Sequence, residues 1–144
     1  MIPLVIDSNI FFSAMYNDSG LERKILELSI EEKIHLFAPT VFKEEILRNL
    51  IDKMGYNKEY ISELLQKYNI IDVPHENYNK FLEKAKDLII HKEDYPFIAV
   101  SLYLKCPIWS GNTRHFEQLK ESKEIIWLTS SELIEYLREK GIVL

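Results

Sequence analysis

The sequence predicts an α/β protein: a three-layer α/β/α sandwich around a central, mostly parallel five-stranded sheet. Two observations carry that expectation. Short, strongly apolar runs alternate with longer stretches whose apolar residues recur at helical spacing. The short runs are also continuously apolar rather than alternating, as in strands covered by helices on both faces.

In chain order, IPLVI (residues 2–6) suits a strand buried on both faces, SNIFFSAMY a helix, and NDSG (17–20) a turn. LERKILELSIEEK sets Leu21, Ile25 and Leu28 close to one helical face, and IHLFA forms a second strand. PTVFKEEILRNLIDKMG opens on Pro39, suited to a first helical turn, and closes on Gly55 as a C-cap. In NKEYISELLQKYN, Tyr60, Leu64, Leu65 and Tyr68 share one side of a helix, and IIDV makes a third strand. NYNKFLEKAKDLII reads as a helix and DYPFIAVSLYLK as a strongly apolar, central one. PIW is a fourth strand, TRHFEQL a short helix and IIWL a fifth strand. Thr129 and Glu132 form a capping box for a last helix that Gly141 ends.

The 144 residues are expected to form one domain, 1–144, with a composition of 47% apolar and 28% charged residues that excludes a disordered chain. Cys106 is the only cysteine, so no internal disulfide forms, which fits a reducing compartment. No apolar run nears the roughly 20 residues of a membrane span, and the start lacks a basic-then-apolar leader. A cytoplasmic protein without membrane contact is expected. The net charge of −5 excludes a globally basic nucleic-acid binder, so a polyanion must be held by a local basic patch or a bound cation.

In open parallel sheets functional residues gather beyond the carboxyl ends of the strands. Asp7 follows the first strand directly, Glu44 and Glu45 lie in the helix after the second, and Asn112 follows the fourth. Asp94 precedes the apolar helix YPFIAVSLYLK. Taken singly, Asp7 and Asp94 read as helix N-caps, and the glutamates as first-turn residues complementing the helix dipole. Periodicity leaves Glu44 and Glu45 undecided, because both fall off the stripe of Phe42, Ile46 and Leu50. As a set, three carboxylates at one edge repel unless protonated or neutralised. A hard divalent cation such as Mg²⁺ takes such oxygen ligands and serves phosphodiester hydrolysis.

VIDSNIFFSAM, APTVFKEEIL, DYPFIAVSLYL and IWSGNTRHF together resemble, in order and spacing, the motifs of PIN-domain nucleases, which include VapC-like toxins of toxin–antitoxin pairs. The resemblance runs from Met1 to about Thr129. It implies Mg²⁺- or Mn²⁺-dependent cleavage of RNA, with Asp7, Glu45 and Asp94 as catalytic, metal-binding acids. Glu45 is preferred over Glu44 because relatives often carry Ser or Thr five residues before the acid and an aliphatic residue after it, as Thr40 and Ile46 do. Where the family commonly has a further Asp, this chain has Asn112, a neutral and weaker oxygen ligand. His115, where some relatives carry another Asp, is expected to pack or to lie at the surface. Ser110 and Asn9 are expected to hold the carboxylates by hydrogen bonds. Lys43, Arg48, Lys53 and Arg114 are candidate RNA contacts, and Tyr16, Tyr56 and Tyr95 candidate stacking residues. An antitoxin protein is an expected partner, and the tyrosine-rich segment 56–71 a candidate homodimer face.

Two other Asp-after-strand families fit less well. A haloacid-dehalogenase-type phosphatase needs a second Asp two residues later, where Asn9 stands, and a receiver domain needs paired acids at the end of its first strand. The non-enzyme alternative is a PIN fold that binds RNA or a protein without cutting, and Asn112 is the residue that favours it.

Overall fold

β1 (Ile2–Ile6) forms the middle of the sheet in the computed structural model, which describes residues 1–144. Its parallel neighbours are β2 (Ile34–Pro39) and β4 (Ile108–Trp109). β3 (Ile71–Val73) and β5 (Trp127–Leu128) form the edges, giving the order β3-β2-β1-β4-β5 with every pairing parallel. Val5 lies between Phe37 and Ile108, and Leu4, Val5 and Ile6 are all fully buried. That double-sided burial is why the run is continuously apolar. Pro3 is tolerated in a central strand because β4 pairs only with Val5 and Ile6. The amides of Val5 and Asp7 bond toward the β4 side, so the donor that Pro3 lacks falls where no strand lies.

Chain direction divides the helices between the two faces. α1 (Ser8–Tyr16), α2 (Leu21–Ile30), α3 (Val41–Ile46) and α4 (Lys58–Lys67) lie on the two connections that step from β1 to β2 to β3. The return from β3 to β4 runs the opposite way, so right-handed crossovers set α5 (His75–Tyr78), α6 (Leu82–Leu88) and α7 (Tyr95–Leu104) on the other face. α7 packs on β1, β2 and β4, with Phe97, Ile98, Ala99, Val100 and Ser101 buried in succession. It is apolar on all sides because α5 and α6 cover its outer surface. After the short α8 (Thr113–Phe116), α9 (Ser130–Glu139) packs on β5 and α2. The three layers expected from the sequence follow.

The structure alters several local expectations. Pro39 ends β2, paired with Val73, and Thr40 takes the N-cap position of α3. α3 continues as a π-helical segment, Leu47–Lys53, that keeps Phe42, Ile46 and Leu50 buried on one stripe. Gly55 then turns the chain with φ +72, a left-handed value that favours glycine. On α4 the buried stripe is Ile61, Leu64 and Tyr68, whereas Tyr60 lies one position off it and is exposed. A 3-10 turn, Asn79–Phe81, interrupts the expected helix between α5 and α6, and Tyr78 and Ala85 on either side of it remain buried. No helix is long and apolar enough to cross a membrane.

Candidate active site

The strand order reverses direction at β1, between β2 and β4, which is where an open parallel sheet opens a crevice beyond its carboxyl ends. Asp7 leaves β1 at that point, its amide bonded to the Trp109 carbonyl of β4 (3.1 Å). Its carboxylate is buried and accepts a hydrogen bond from the Ser110 hydroxyl (2.8 Å). The Ser110 hydroxyl in turn accepts from the Asn112 amide (3.0 Å), while the Ser110 amide is fixed to the Leu128 carbonyl of β5 (3.1 Å). Ser110 is itself fully buried, so the carboxylate is held by a rigid group.

Asp94 approaches the same crevice from the start of α7. It is as deeply buried as Asp7 and lies 2.7 Å from His115 Nδ1. Asp7 and Asp94 occupy the N-cap positions of α1 and α7, yet neither side chain makes a capping hydrogen bond. The capping role open to each of them is therefore not the role they fill.

Glu45 comes from α3 and is half-buried, whereas Glu44 is exposed. The charge of Glu45 acts on Asp7, and that of Asp94 acts on Glu45. Glu44 acts instead on Tyr78, together with Asp72. The two neighbours thus point to different places, and Glu45 is the one beside the aspartates.

Burial pushes the Asp7 carboxyl up to about 7; the Ser110 hydrogen bond pulls against this, and the charges of Asp94 and Glu45 add to it. Glu45 is raised chiefly by burial, with Asp94 and Glu93 adding to the rise and Ser8 and Arg48 opposing it. Asp94 is raised by burial against the stabilising bond and charge of His115. The Ser8 hydroxyl, at the first position of α1, is buried on the side of Glu45 and finds no partner at full hydrogen-bond geometry. Three carboxylates driven toward neutrality, with an orphaned hydroxyl beside them, form an all-oxygen donor set short of positive charge. A hard divalent cation fits the chemistry of that set, and Asp7, Asp94 and Glu45 are the residues that could hold it. Cys106 is not part of it: burial pushes its thiol up to about 12, leaving no thiolate nucleophile.

Asn9 does not hold a carboxylate, because the first turn of α1 directs it outward, exposed. It lines a depression of about 410 Å³ with Ser13, Glu22, Gly111, Asn112 and Ser130. Arg48 acts on Glu45, while Arg114 lines a cleft with His91 and His115. Lys43 lines a separate groove with Phe42, Leu65 and Asp72, and Lys53 is exposed at the end of the π-helical segment. Of the aromatics, Tyr56 donates to the Met15 carbonyl (3.1 Å) and Tyr95 to the Ile90 carbonyl (3.3 Å), which leaves Tyr16 freely exposed. His115 neither packs in the core nor stands at the surface. It orients Asp94, a role the sequence could signal only through its place shortly after the fourth strand.

Comparison with known proteins agrees with this geometry. The sequence profile of the PIN domain matches residues 5–125. Uncharacterized protein MJ1680 of Methanocaldococcus jannaschii is 29% identical in a match that covers 81% of this chain and 93% of that protein. A chain in the crystal structure of VapBC2 from Rickettsia felis, bound to a DNA fragment from their promoter, superposes with a TM-score of 0.64 at 18% identity, covering 89% of this chain and 98% of its own. A chain of VapBC-1 from nontypeable Haemophilus influenzae gives 0.61 at 18% identity, covering 91% and 99%. With the profile spanning β1 to the approach to β5, and the acids gathered where the strand order reverses, this chain belongs to the PIN domain family.

Proposed function

We propose that the protein is a Mg²⁺- or Mn²⁺-dependent endoribonuclease acting as the toxin of a toxin–antitoxin pair. The reading rests on one observation: Asp7, Glu45 and Asp94, from three separate elements, bear electrostatically on one another at one edge of the sheet. When bound there, the cation supplies positive charge for the phosphodiester and makes a water nucleophilic at neutral pH. Asp7 and Asp94 hold it, oriented by Ser110 and His115. Glu45, more accessible and with a raised pKa, accepts the proton of the attacking water at its carboxylate oxygen. Attack in line at phosphorus breaks the bond to the 3′ oxygen, which leaves with the electron pair and takes a proton from solvent, giving a 5′-phosphate and a 3′-hydroxyl. Arg48 and Arg114 contact the RNA backbone nearest the acids, with Lys43 and Lys53 farther along.

The likeness to chains of two VapBC complexes supports an antitoxin protein as partner. Exposed Tyr60, stacked on Tyr56 at 6.2 Å, supports a homodimer contact through the 56–71 segment. RNA incubated with Mn²⁺ is cleaved by the wild type and not by Asp7→Asn; equal cleavage by the purified variant removes this mechanism. A second reading, an RNA- or protein-binding PIN domain that does not cut, is favoured by Asn112, whose side chain lines the depression with Asn9. The melting temperature separates the two: the nuclease reading expects Mn²⁺ to raise it and Asp94→Asn to abolish the rise, whereas the second reading expects no such rise and no cleavage of RNA.

A further inference from the structure

Beside the carboxylate cluster lies a group of different chemistry. His91, Glu93 and His115 each offer one ligand atom, and these atoms all lie within 4.8 Å of one another. The imidazoles of His91 and His115 are stacked, with centroids 3.6 Å apart and planes within 8°. His91 Nδ1 is 3.9 Å from the Glu93 carboxylate. His115 directs Nδ1 to Asp94 at 2.7 Å, and with the proton on that nitrogen Nε2 carries a free lone pair. A carboxylate that fixes the tautomer of a histidine is the usual support of a metal-ligating imidazole.

We propose that His91, Glu93 and His115 form a second metal site, for a transition ion of the Zn²⁺ class that prefers nitrogen ligands, separate from the all-oxygen site of Asp7, Glu45 and Asp94. The three ligand atoms lie within 4.8 Å of one another, wider than the roughly 3.4 Å between two nitrogens on a tetrahedral zinc with Zn–N bonds of about 2.0–2.1 Å, so the side chains must close in on the ion. Parallel rings cannot both aim in-plane lone pairs at one ion, so ligation needs one ring to turn. His91 is exposed and free to do so, whereas His115 is tied to Asp94. Two neutral imidazoles and one carboxylate leave a fourth position open, and imidazole ligands select against Mg²⁺. A phosphate-binding role suits the group itself less well: Glu93 is part of the cluster, and although Arg114 lines the adjoining cleft, so do Glu117 and Glu121, while Lys120 of that cleft is paired with Glu132.

Co²⁺, whose visible spectrum reports ligand type and coordination number, is the probe. Titrated in the presence of excess Mg²⁺, which occupies the carboxylate site, into the wild type and into Asp7→Asn, it is expected to give the same nitrogen-ligated, low-coordinate absorption at one Co²⁺ per chain. Zn²⁺ displaces it and excess Mg²⁺ does not. His91→Ala and His115→Ala each weaken binding by tenfold or more, and Asp94→Asn, through loss of support to His115, by about 10–100-fold. His91 is on the surface, so its replacement leaves the fold intact. An oxygen-type, six-coordinate spectrum, or affinities within threefold of wild type in both histidine variants, overturns the proposal. Loss of the signal in Asp7→Asn overturns it too, by assigning the ion to the carboxylates. Because absorption rather than RNA cleavage is read, failure of the nuclease reading leaves this result intact.

Discussion

At Asp7 the folded chain retains a proton up to about pH 7 that the unfolded chain releases near the ordinary aspartate value of 3.8. The folded state therefore binds more protons across that window, and stability falls as pH rises through it. With a displacement from 3.8 to about 7, the ceiling on the loss is about 4 kcal/mol. Asparagine keeps the shape of the side chain and can still accept from Ser110. In urea unfolding with EDTA present, Asp7→Asn is expected to match the wild type near pH 4 and to exceed it at pH 8. Equal stability at both pH values contradicts the account. The same carboxylate that costs stability without a cation is the one proposed to hold it, so function here opposes stability.

The last helix supplies a control among the elements. α9 begins at a capping box in which the Thr129 hydroxyl accepts from the Glu132 amide (3.3 Å) and the Glu132 carboxylate from the Thr129 amide (3.0 Å). Thr129→Ala is expected to cost about 1 kcal/mol in urea unfolding without changing the response to Mn²⁺. That box was legible from two residues three apart, as were the buried strands, because such signals are local. The places of Asp7, Asp94 and Ser110 in the fold were legible for a related reason: each sits next to a strand or helix boundary that its neighbours define. The choice between Glu44 and Glu45 was not, since both lie off the buried stripe of α3, and only packing shows Glu44 toward Tyr78 and Glu45 toward the aspartates. His115 escaped because its partner Asp94 lies 21 residues upstream, across the β4 turn. Asn9 misled because residue type does not say which way a first helical turn faces.

Across the whole molecule, the net charge of −5 means that the RNA proposed as substrate would be held by a few local cations against a repelling background. Binding of single-stranded RNA to Asp94→Asn, chosen to suppress cleavage, is expected to weaken with salt. Adding Arg114→Ala lowers the log–log salt slope by about 0.7, the value for one lost contact on a single strand. An unchanged slope removes Arg114 from the interface.

The Asp7–Ser110 bond joins residues 103 positions apart. A ribosome making this protein therefore finishes Asp7 long before it makes the serine that orients it, and β1 waits equally long for β4 to complete its second flank. A chain released early, at any point before the fourth strand, carries its first acid without the support that sets it. If the protein is the nuclease proposed, a fragment ending before β4 is therefore expected to cut nothing.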